Sequence, residues 1–278
     1  MFKFKCLKKN YFTPGIITFS FLLSMLVLTG CDYSGGKGTA TFFGGKIKNP
    51  KDDYVYFSKG MEVLDSAKLD VNNKFSFKLD SLELGLYTFK HGAEFQYLYL
   101  EPQDSLLLYL NTWDFDESLI FSGKGSAKNN FLINLWLQQE RNEKGFKPNY
   151  KLDEEGFSKA IEEGIKKQLD RYNQFLENEG EAPSPYFDKL VKAGIYYPFY
   201  YLKEMYPRRH QRLVGIKEKM ELSDDFYSYR DQIDINDKSL LDFGFTPLLI
   251  NTYLYNLADE QYMKDPDQQV FEITYMNT

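Results

Sequence analysis

Residues 119–132 read Leu119-Ile120-Phe121-Ser122-Gly123-Lys124-Gly125-Ser126-Ala127-Lys128-Asn129-Asn130-Phe131-Leu132, and within this segment the spacing of the apolar residues changes. Up to about Ser122, apolar residues recur at every second position, as in β-strands with one buried face. From Ser126 onward they recur every third or fourth residue, as in amphipathic helices. The sequence therefore predicts two structurally different halves that meet at the glycines of this segment.

The N-terminal half is predicted to be an antiparallel β-sandwich or open barrel over residues 39–124, because its strands are short and evenly spaced. One turn is especially clear: in Asp70-Val71-Asn72-Asn73-Lys74 the asparagines tolerate the positive φ of a tight hairpin. Alternating apolar residues predict eight strands: Ala40–Ile47, Tyr54–Ser58, Glu62–Asp70, Lys74–Leu79, Leu86–Lys90, Gln96–Leu100, Ser105–Leu110 and Leu119–Phe121.

The C-terminal half, residues 125–278, is predicted to be an α-helical bundle, so that the whole chain belongs to the α+β class. Ser126 and Asp153 are the expected N-caps of the first two helices, and Pro183-Ser184-Pro185 is the expected start of the third. Further helical stretches are predicted over roughly 207–220, 224–231 and 238–259. The Gly, Pro and charged residues from Arg141 to Asp153 predict a helix break and an exposed link.

Residues 1–30 have the pattern of a lipoprotein signal peptide. Four lysines lie in the first ten positions, and an apolar run from Ile16 to Leu28 is too short to span a bilayer. Leu28-Thr29-Gly30-Cys31 resembles a lipobox, which predicts cleavage between Gly30 and Cys31 and attachment of lipid to the Cys31 thiol. Residues 31–38 then form a Gly-rich tether.

This leader predicts a cell-envelope protein whose partner is a membrane, reached through acyl chains on Cys31. No acidic cluster follows Cys31, which favours a periplasm-facing anchor, on the outer membrane rather than the inner one. Cys6 is removed with the leader, so the processed chain has no free thiol. Apart from the lipid, no cofactor is expected.

Charge and composition exclude several classes of function. Residues 31–278 hold 30 of the 34 basic residues and all 40 acidic ones, a net charge of −10. Nucleic acid is therefore not an expected partner, because binding phosphates needs clustered Lys and Arg. Two Cys and two His leave little material for structural zinc or disulfides.

No catalytic residue or metal ligand is predicted. His91 is expected in a loop after a strand, His210 lies near a predicted helix start, and neither has another His or a Cys near it in sequence. A Ser-His-Asp site stays open in principle, since its members need not be close in sequence. Gly123-Lys124-Gly125-Ser126 departs from the phosphate-binding P-loop pattern and is better interpreted as a strand-to-helix turn.

The remaining candidate binding sites are four acidic clusters and one aromatic block. None of the acidic clusters matches a calcium loop, and each is interpreted as a solvated turn: Asp52-Asp53, Asp114-x-Asp116-Glu117, Asp224-Asp225 and Asp265-x-Asp267. The aromatic block Tyr196–Tyr201 could stack on a sugar or a peptide. Helical spacing would point its side chains all round the helix, which favours core packing.

Two segments carry a resemblance to a known family. The segment Leu98–Leu106, with Pro102, Asp104 and Ser105, and the segment Phe115–Gly125, followed by Asn129-Asn130-Phe131-Leu132, are similar to the N-terminal half of Bacteroidetes-type lipoproteins that end in a TlpA-like thioredoxin domain. The resemblance covers roughly residues 31–260. In that family the active site is a Cys-x-x-Cys in the C-terminal domain, and this sequence contains no such motif, so no active-site residue carries over.

The sequence therefore predicts a non-enzymatic envelope lipoprotein that acts as a binding or interaction module, with its ligand unknown. A first alternative is a truncated or split N-terminal portion of a membrane-anchored thiol-disulfide oxidoreductase. The resemblance then implies a thioredoxin-like protein or domain as a partner. A further alternative, suggested by the aromatic content, is a carbohydrate-binding lipoprotein.

Overall fold

All eight predicted strands are present in the computed structural model, which describes residues 40–180, 182–217, 220–241 and 243–264. The processing site Gly30–Cys31 and the tether precede these residues and lie outside the described part, as does the acidic pair Asp265 and Asp267. The described residues belong to one compact unit. The strands are β1 (Thr41–Lys48), β2 (Tyr54–Lys59), β3 (Glu62–Lys68), β4 (Lys74–Leu79), β5 (Gly85–His91), β6 (Glu94–Leu100), β7 (Ser105–Asn111) and β8 (Ile120–Lys124).

The strands form two four-stranded sheets. Sheet A has the order β4-β1-β7-β8 and sheet B the order β3-β2-β5-β6. Neighbouring strands are antiparallel except β1 and β7, which run parallel, with Phe43 opposite Leu106. β1 lies between β4 and β7 in sheet A. It runs antiparallel to β4 and parallel to β7. Within the described residues, the two sheets do not close into a barrel.

Buried and exposed side chains alternate along the strands, and the buried ones form the core of the sandwich. In β4, Phe75 and Phe77 are buried while the residues beside them are exposed, as the period of two predicts. Aromatic rings from both sheets meet between them, with Phe43 of β1 contacting Phe57 of β2 and Phe89 of β5. The turn at Asp70–Lys74 forms as predicted, with Asn73 at a φ of 58°, but the predicted hairpin is wrong, because β3 belongs to sheet B and β4 to sheet A.

The C-terminal half is helical, as predicted. A four-residue helix, α1 (Phe115–Ser118), precedes β8, and the longer helices are α2 (Ser126–Phe146), α3 (Glu154–Glu179), α4 (Pro185–Val214) and α5 (Thr246–Lys264). Two 3₁₀ helices, which we number first and second, span Lys147–Lys151 and Asp224–Gln232. The described residues are thus an α+β fold, with a β-sandwich followed by helices.

The structure confirms two of the three predicted helix starts. The Asp153 carboxylate accepts a hydrogen bond from Gly156 N at 2.9 Å, and Ser184 Oγ accepts one from Phe187 N at 3.2 Å. The predicted Ser126 cap is wrong: the cap residue is Gly125, with a φ of 92°, and Ser126 is the first helical residue. This left-handed conformation favours glycine, which places the turn one residue earlier than the hydroxyl suggested.

Three other expectations about the helices need correction. Pro207 does not start a helix, because α4 continues through it. The last helix begins at Thr246 and not near Lys238. The segment from Arg141 to Asp153 does not form an exposed link: α2 continues to Phe146, and Phe146 and Tyr150 are buried.

The helices pack against the outer face of sheet B. Tyr99 of β6 is fully buried in the helical core, where its ring contacts Phe187 of α4 at a centroid distance of 5.1 Å. Leu86 of β5 and Tyr97 of β6 also pack against this core. Sheet B therefore lies between sheet A and the helices.

Candidate functional site: a basic groove on the helical half

An open groove of about 950 Å³ separates the first 3₁₀ helix from the C-terminal part of α4. Five of the residues that line it are basic, and its apolar lining includes Pro148, Met205 and Leu213. The basic residues are Lys147, Lys151, Arg208, Arg209 and Arg212. A concentration of positive charge on a chain with an acidic excess is the feature that distinguishes this surface.

Helical spacing brings the basic side chains together. Arg208, Arg209 and Arg212 occupy positions i, i+1 and i+4 of α4, so all three lie on one side of the helix. Lys147 and Lys151 are the first and last residues of the first 3₁₀ helix. Two short sequence patterns on separate elements thus build opposite walls of one groove.

Three hydrogen bonds fix the position of the first 3₁₀ helix and the residue after it relative to α4. Protonated Nδ1 of His210 donates to the Tyr150 carbonyl oxygen at 3.0 Å, because a carbonyl can only accept. The Tyr206 hydroxyl donates to the Leu152 carbonyl at 2.8 Å, and the Tyr150 hydroxyl donates to the Leu202 carbonyl at 3.4 Å. His210, which the sequence singled out, therefore fixes the position of the groove wall.

Two of the arginines lie against aromatic rings. The guanidinium carbon of Arg208 is 4.2 Å from the Tyr255 ring centroid, and that of Arg209 is 4.9 Å from the Tyr150 centroid. Such stacking favours a cation and leaves the N–H edge of the guanidinium available to an anion. Among the side chains that the structure describes, no carboxylate forms an ion pair with any of the five basic groups.

A buried ionic network lies elsewhere on α4. Arg230 of the second 3₁₀ helix donates two hydrogen bonds of 2.8 Å to the Glu204 carboxylate and also contacts Glu260 of α5 at 3.2 Å. The Tyr229 hydroxyl donates to Glu204 at 2.6 Å, and Asn256 Nδ2 donates to it at 2.7 Å. Burial and the adjacent carboxylate raise the pKa of Tyr229. Because its groups bond to one another, we interpret this network as a structural clamp joining three elements.

His91 also has a structural role. It is the last residue of β5, not part of a loop as its sequence context suggested, and it is buried. Its Nε2 accepts a hydrogen bond from Lys51 N at 2.9 Å, and its Nδ1 donates to the Tyr54 carbonyl at 2.9 Å. Both ring nitrogens thus support the backbone around the start of β2.

The Gly123–Ser126 turn does not form a phosphate cradle. A Cβ atom on Gly125 would lie 2.6 Å from the Asp104 carboxylate, so an acidic side chain already occupies the space beside the start of α2. Asp104 is buried, and this burial raises the pKa of its carboxyl. Its Oδ2 atom accepts a hydrogen bond from Glu101 N at 2.9 Å.

The interpretation of the acidic clusters as solvated turns is wrong for two of them: Asp116 lies in α1 and is partly buried, and Asp224 and Asp225 begin the second 3₁₀ helix. Asp52 accepts a hydrogen bond from Tyr54 N at 3.1 Å, and Asp116 accepts one from Gln96 at 2.9 Å. Within the part of the chain that the structure describes, no three His, Cys, Asp or Glu side chains converge as metal ligands would. The aromatic block Tyr196–Tyr201 packs in the core, and only Tyr196 is partly exposed.

A small cavity lies where the sandwich meets the helices, lined among others by Tyr97, Trp136 and Phe243. Its volume of about 20 Å³ is enough for about one water molecule and too small for an organic ligand. The groove is therefore the candidate site on which a function can be argued.

The sequence did not predict this groove, because the net charge of residues 31–278 is acidic and does not reveal how the charges are distributed. A local signal was present. Arg208-Arg209-x-x-Arg212 and Lys147-x-x-x-Lys151 each place basic residues at helical spacing with no acidic residue between them. What the sequence could not indicate is that the two patterns face each other.

Comparison with known proteins gives no relative for this chain: no family model, no curated protein and no solved structure matches it. Among the described helices, none combines the length and the apolar character needed to cross a bilayer.

Proposed function

We propose that this chain is a cell-envelope lipoprotein, anchored through lipid on Cys31, that acts as a non-catalytic binding module. Support for the anchor comes from the sequence, in which a lysine-rich head and an apolar run precede Leu28-Thr29-Gly30-Cys31. The anchor would face the periplasm, on the outer membrane rather than the inner one, as the sequence suggested.

The binding role rests on one observation, the basic groove. Its five cationic side chains form no ion pair with a carboxylate whose side chain the structure describes. Three of them are guanidinium groups suited to carboxylate or phosphate oxygens. Its apolar lining adds a surface for a partly apolar ligand. The ligand class is therefore an anionic partner that carries carboxylates or phosphates.

Calorimetric titration of the detergent-solubilised chain tests this role. The probes are inorganic tripolyphosphate and, separately, a hexaglutamate peptide, which distinguish phosphate from carboxylate recognition. Replacing Arg208, Arg209 and Arg212 by Gln should weaken binding by about tenfold or more, since each charge-assisted hydrogen bond contributes on the order of 1.5–3 kcal/mol.

The matched control removes the same number of positive charges from α3. Lys166, Lys167 and Arg171 lie on its exposed face among Glu163 and Asp170. Replacing these three by Gln should leave the affinity within about twofold, since their charges are already balanced locally and screened by salt. Equal losses in the two triple variants, or no binding by the wild type, would refute the role of the groove.

The resemblance to lipoproteins with a TlpA-like thioredoxin domain supports a second candidate, a split oxidoreductase portion. A thioredoxin-like protein or domain would then be the partner. Pure, processed chain should show no disulfide reductase activity, because its only remaining cysteine sulfur would be bonded to lipid. The carbohydrate alternative has less support, since all residues of the aromatic block Tyr196–Tyr201 except Tyr196 are buried.

A further inference from the structure

The strands of sheet A differ in charge from those of sheet B. Its four strands carry five lysines and no acidic residue, whereas the four strands of sheet B carry three lysines and three acidic residues. The lysines of sheet A are Lys46, Lys48, Lys74, Lys78 and Lys124, and all five are exposed. The outer face of sheet A is therefore basic although the chain as a whole is acidic.

Apolar side chains lie among these lysines. Phe42, Leu107, Tyr109 and Ile120 have exposed fractions of 45%, 55%, 43% and 58%. Tyr109 is paired directly with Ile120, and Leu107 lies two residues before Tyr109 on the same strand face. These residues form an apolar stripe along β7, with its ends on β1 and β8.

The register places lysines on both sides of this stripe. Lys46 pairs with Tyr109 on one side and with Lys74 on the other, and Lys78 pairs with Phe42. Lys124 pairs with Ser105 at the opposite edge. Only Lys78 has an acidic partner among the described residues, the exposed Asp80 at 3.2 Å. The other four lysines form no ion pair with a described side chain, although Lys124 Nζ donates to the Gln103 carbonyl at 3.1 Å and Asp70 lies near Lys46 and Lys74.

This face is not covered by the helices. They pack on sheet B, through Leu86, Tyr97 and Tyr99, so the outer side of sheet A is the side of the sandwich turned away from them. A flat face of lysines with aromatic and aliphatic side chains between them has the composition of a membrane-surface contact, in which cations meet phosphate groups and rings reach the interface.

We propose that the outer face of sheet A lies on the surface of an anionic phospholipid bilayer. The inference rests on the proposed lipid anchor at Cys31. Thr41, the first residue of β1, lies ten positions after Cys31, and a segment of this length can span at most about 35 Å. The anchor would thus hold sheet A close to the membrane, with the helices and their basic groove on the far side of sheet B.

A depth measurement on the anchored protein tests this orientation. Ser122 lies on the outer face of sheet A, and Asn173 lies on the exposed face of α3. A fluorophore on S122C or N173C reports contact when lipids carrying a quencher approach it, because the processed chain has no other free thiol. The vesicles contain phosphatidylcholine with or without phosphatidylglycerol.

The label at residue 122 should be quenched in vesicles that contain phosphatidylglycerol, and the label at residue 173 should not. Replacing Lys46, Lys74 and Lys124 by Gln should weaken this contact by about fivefold for each lysine removed. The control variant replaces Lys59, Lys68 and Lys90 of sheet B by Gln and should retain the contact, because it loses the same net charge from another surface.

Equal quenching of the two labels would overturn the proposal, as would quenching at residue 122 that does not depend on phosphatidylglycerol. Flotation with phosphatidylcholine vesicles alone reports on the anchor separately. If the wild-type chain fails to float, the anchor proposal fails. Quenching at residue 122 by an excess of phosphatidylglycerol vesicles then still decides whether this face contacts lipid.

Discussion

Tyr99 and Asn129 are joined by a pair of hydrogen bonds that connects the sandwich to the helices. Asn129 Oδ1 accepts from Tyr99 N at 2.8 Å, and Asn129 Nδ2 donates to the Tyr99 carbonyl at 2.7 Å. The side-chain amide thus supplies the bonds that a neighbouring strand would have made on the free edge of β6. Asn130 does the same for Phe121 on β8, with both bonds at 2.9 Å.

Two successive asparagines at the start of α2 therefore cover one edge of each sheet. An exposed edge presents unpaired N–H and C=O groups and invites pairing with other chains. Asn129 is buried, so its bonds satisfy backbone groups that water does not reach. This arrangement gives a physical reason for the Asn129-Asn130 pair in the segment where the sequence pattern changes.

The first prediction follows from this pairing. Asn129→Ala leaves the N–H and C=O of Tyr99 buried without partners and should lower the free energy of unfolding by about 3 kcal/mol. Chemical denaturation measures the loss. Asn134→Ala is the control, because its amide is exposed and bonds only to its own helix, at Asn130 O. If both variants lose similar stability, the edge-covering account is wrong.

The second prediction concerns acid stability. Burial acts to raise the pKa of Glu101, but hydrogen bonds from Lys128 and Tyr99 outweigh it and hold the pKa of this carboxyl below its ordinary value. The stability that Glu101 contributes is therefore present above about pH 4.3, the value expected in the unfolded chain, and is lost as the pH falls through the lower folded pKa.

Denaturation of wild type and Glu101→Gln at several pH values checks this linkage. The variant should be less stable at pH 7, by about 1 kcal/mol, and the difference should disappear in acid. A difference that stays constant down to the acid limit would mean that the carboxylate charge of Glu101 does not matter.

The third prediction addresses the buried network on α4. The Glu204 side chain is fully buried, so Glu204→Gln leaves Arg230 with a weakened partner and should cost about 3 kcal/mol of folding free energy. Replacing both Glu204 and Arg230 by apolar residues of similar size should cost less than the single change. Glu83→Gln removes an exposed ion pair with Lys59 and should have little effect on stability.

The fourth prediction uses two glycines of different surroundings. Gly125 has a φ of 92°, and a Cβ there would contact the Asp104 carboxylate, so Gly125→Ala should destabilise the chain by about 2 kcal/mol. Gly145 lies in α2, with no heavy atom within 4 Å of an added Cβ. Gly145→Ala should therefore stabilise the chain by about 0.5–1 kcal/mol. Thermal unfolding separates the two, and shifts of the same sign would contradict this account.

The sequence predicted the strands better than the groove, for a physical reason. A buried strand face such as Phe75-x-Phe77 leaves a period of two that can be counted locally. The N-cap bond of Asp153 is equally local. Where the groove walls meet depends on long-range bonds, such as that from Tyr206 to Leu152, which no local pattern encodes. The sequence shows the lysines of sheet A, but it does not show the strand order that makes them neighbours.

The central claim, that the five basic residues form one anion-binding groove, is tested most directly by arginine footprinting. An arginine-specific reagent and mass spectrometry measure the reactivity of each side chain with and without saturating tripolyphosphate. We expect the anion to protect Arg208, Arg209 and Arg212 and to leave Arg171, on the exposed face of α3, as reactive as before. Protection of Arg171 to the same extent, or no protection of the groove arginines by an anion that binds, would contradict this claim.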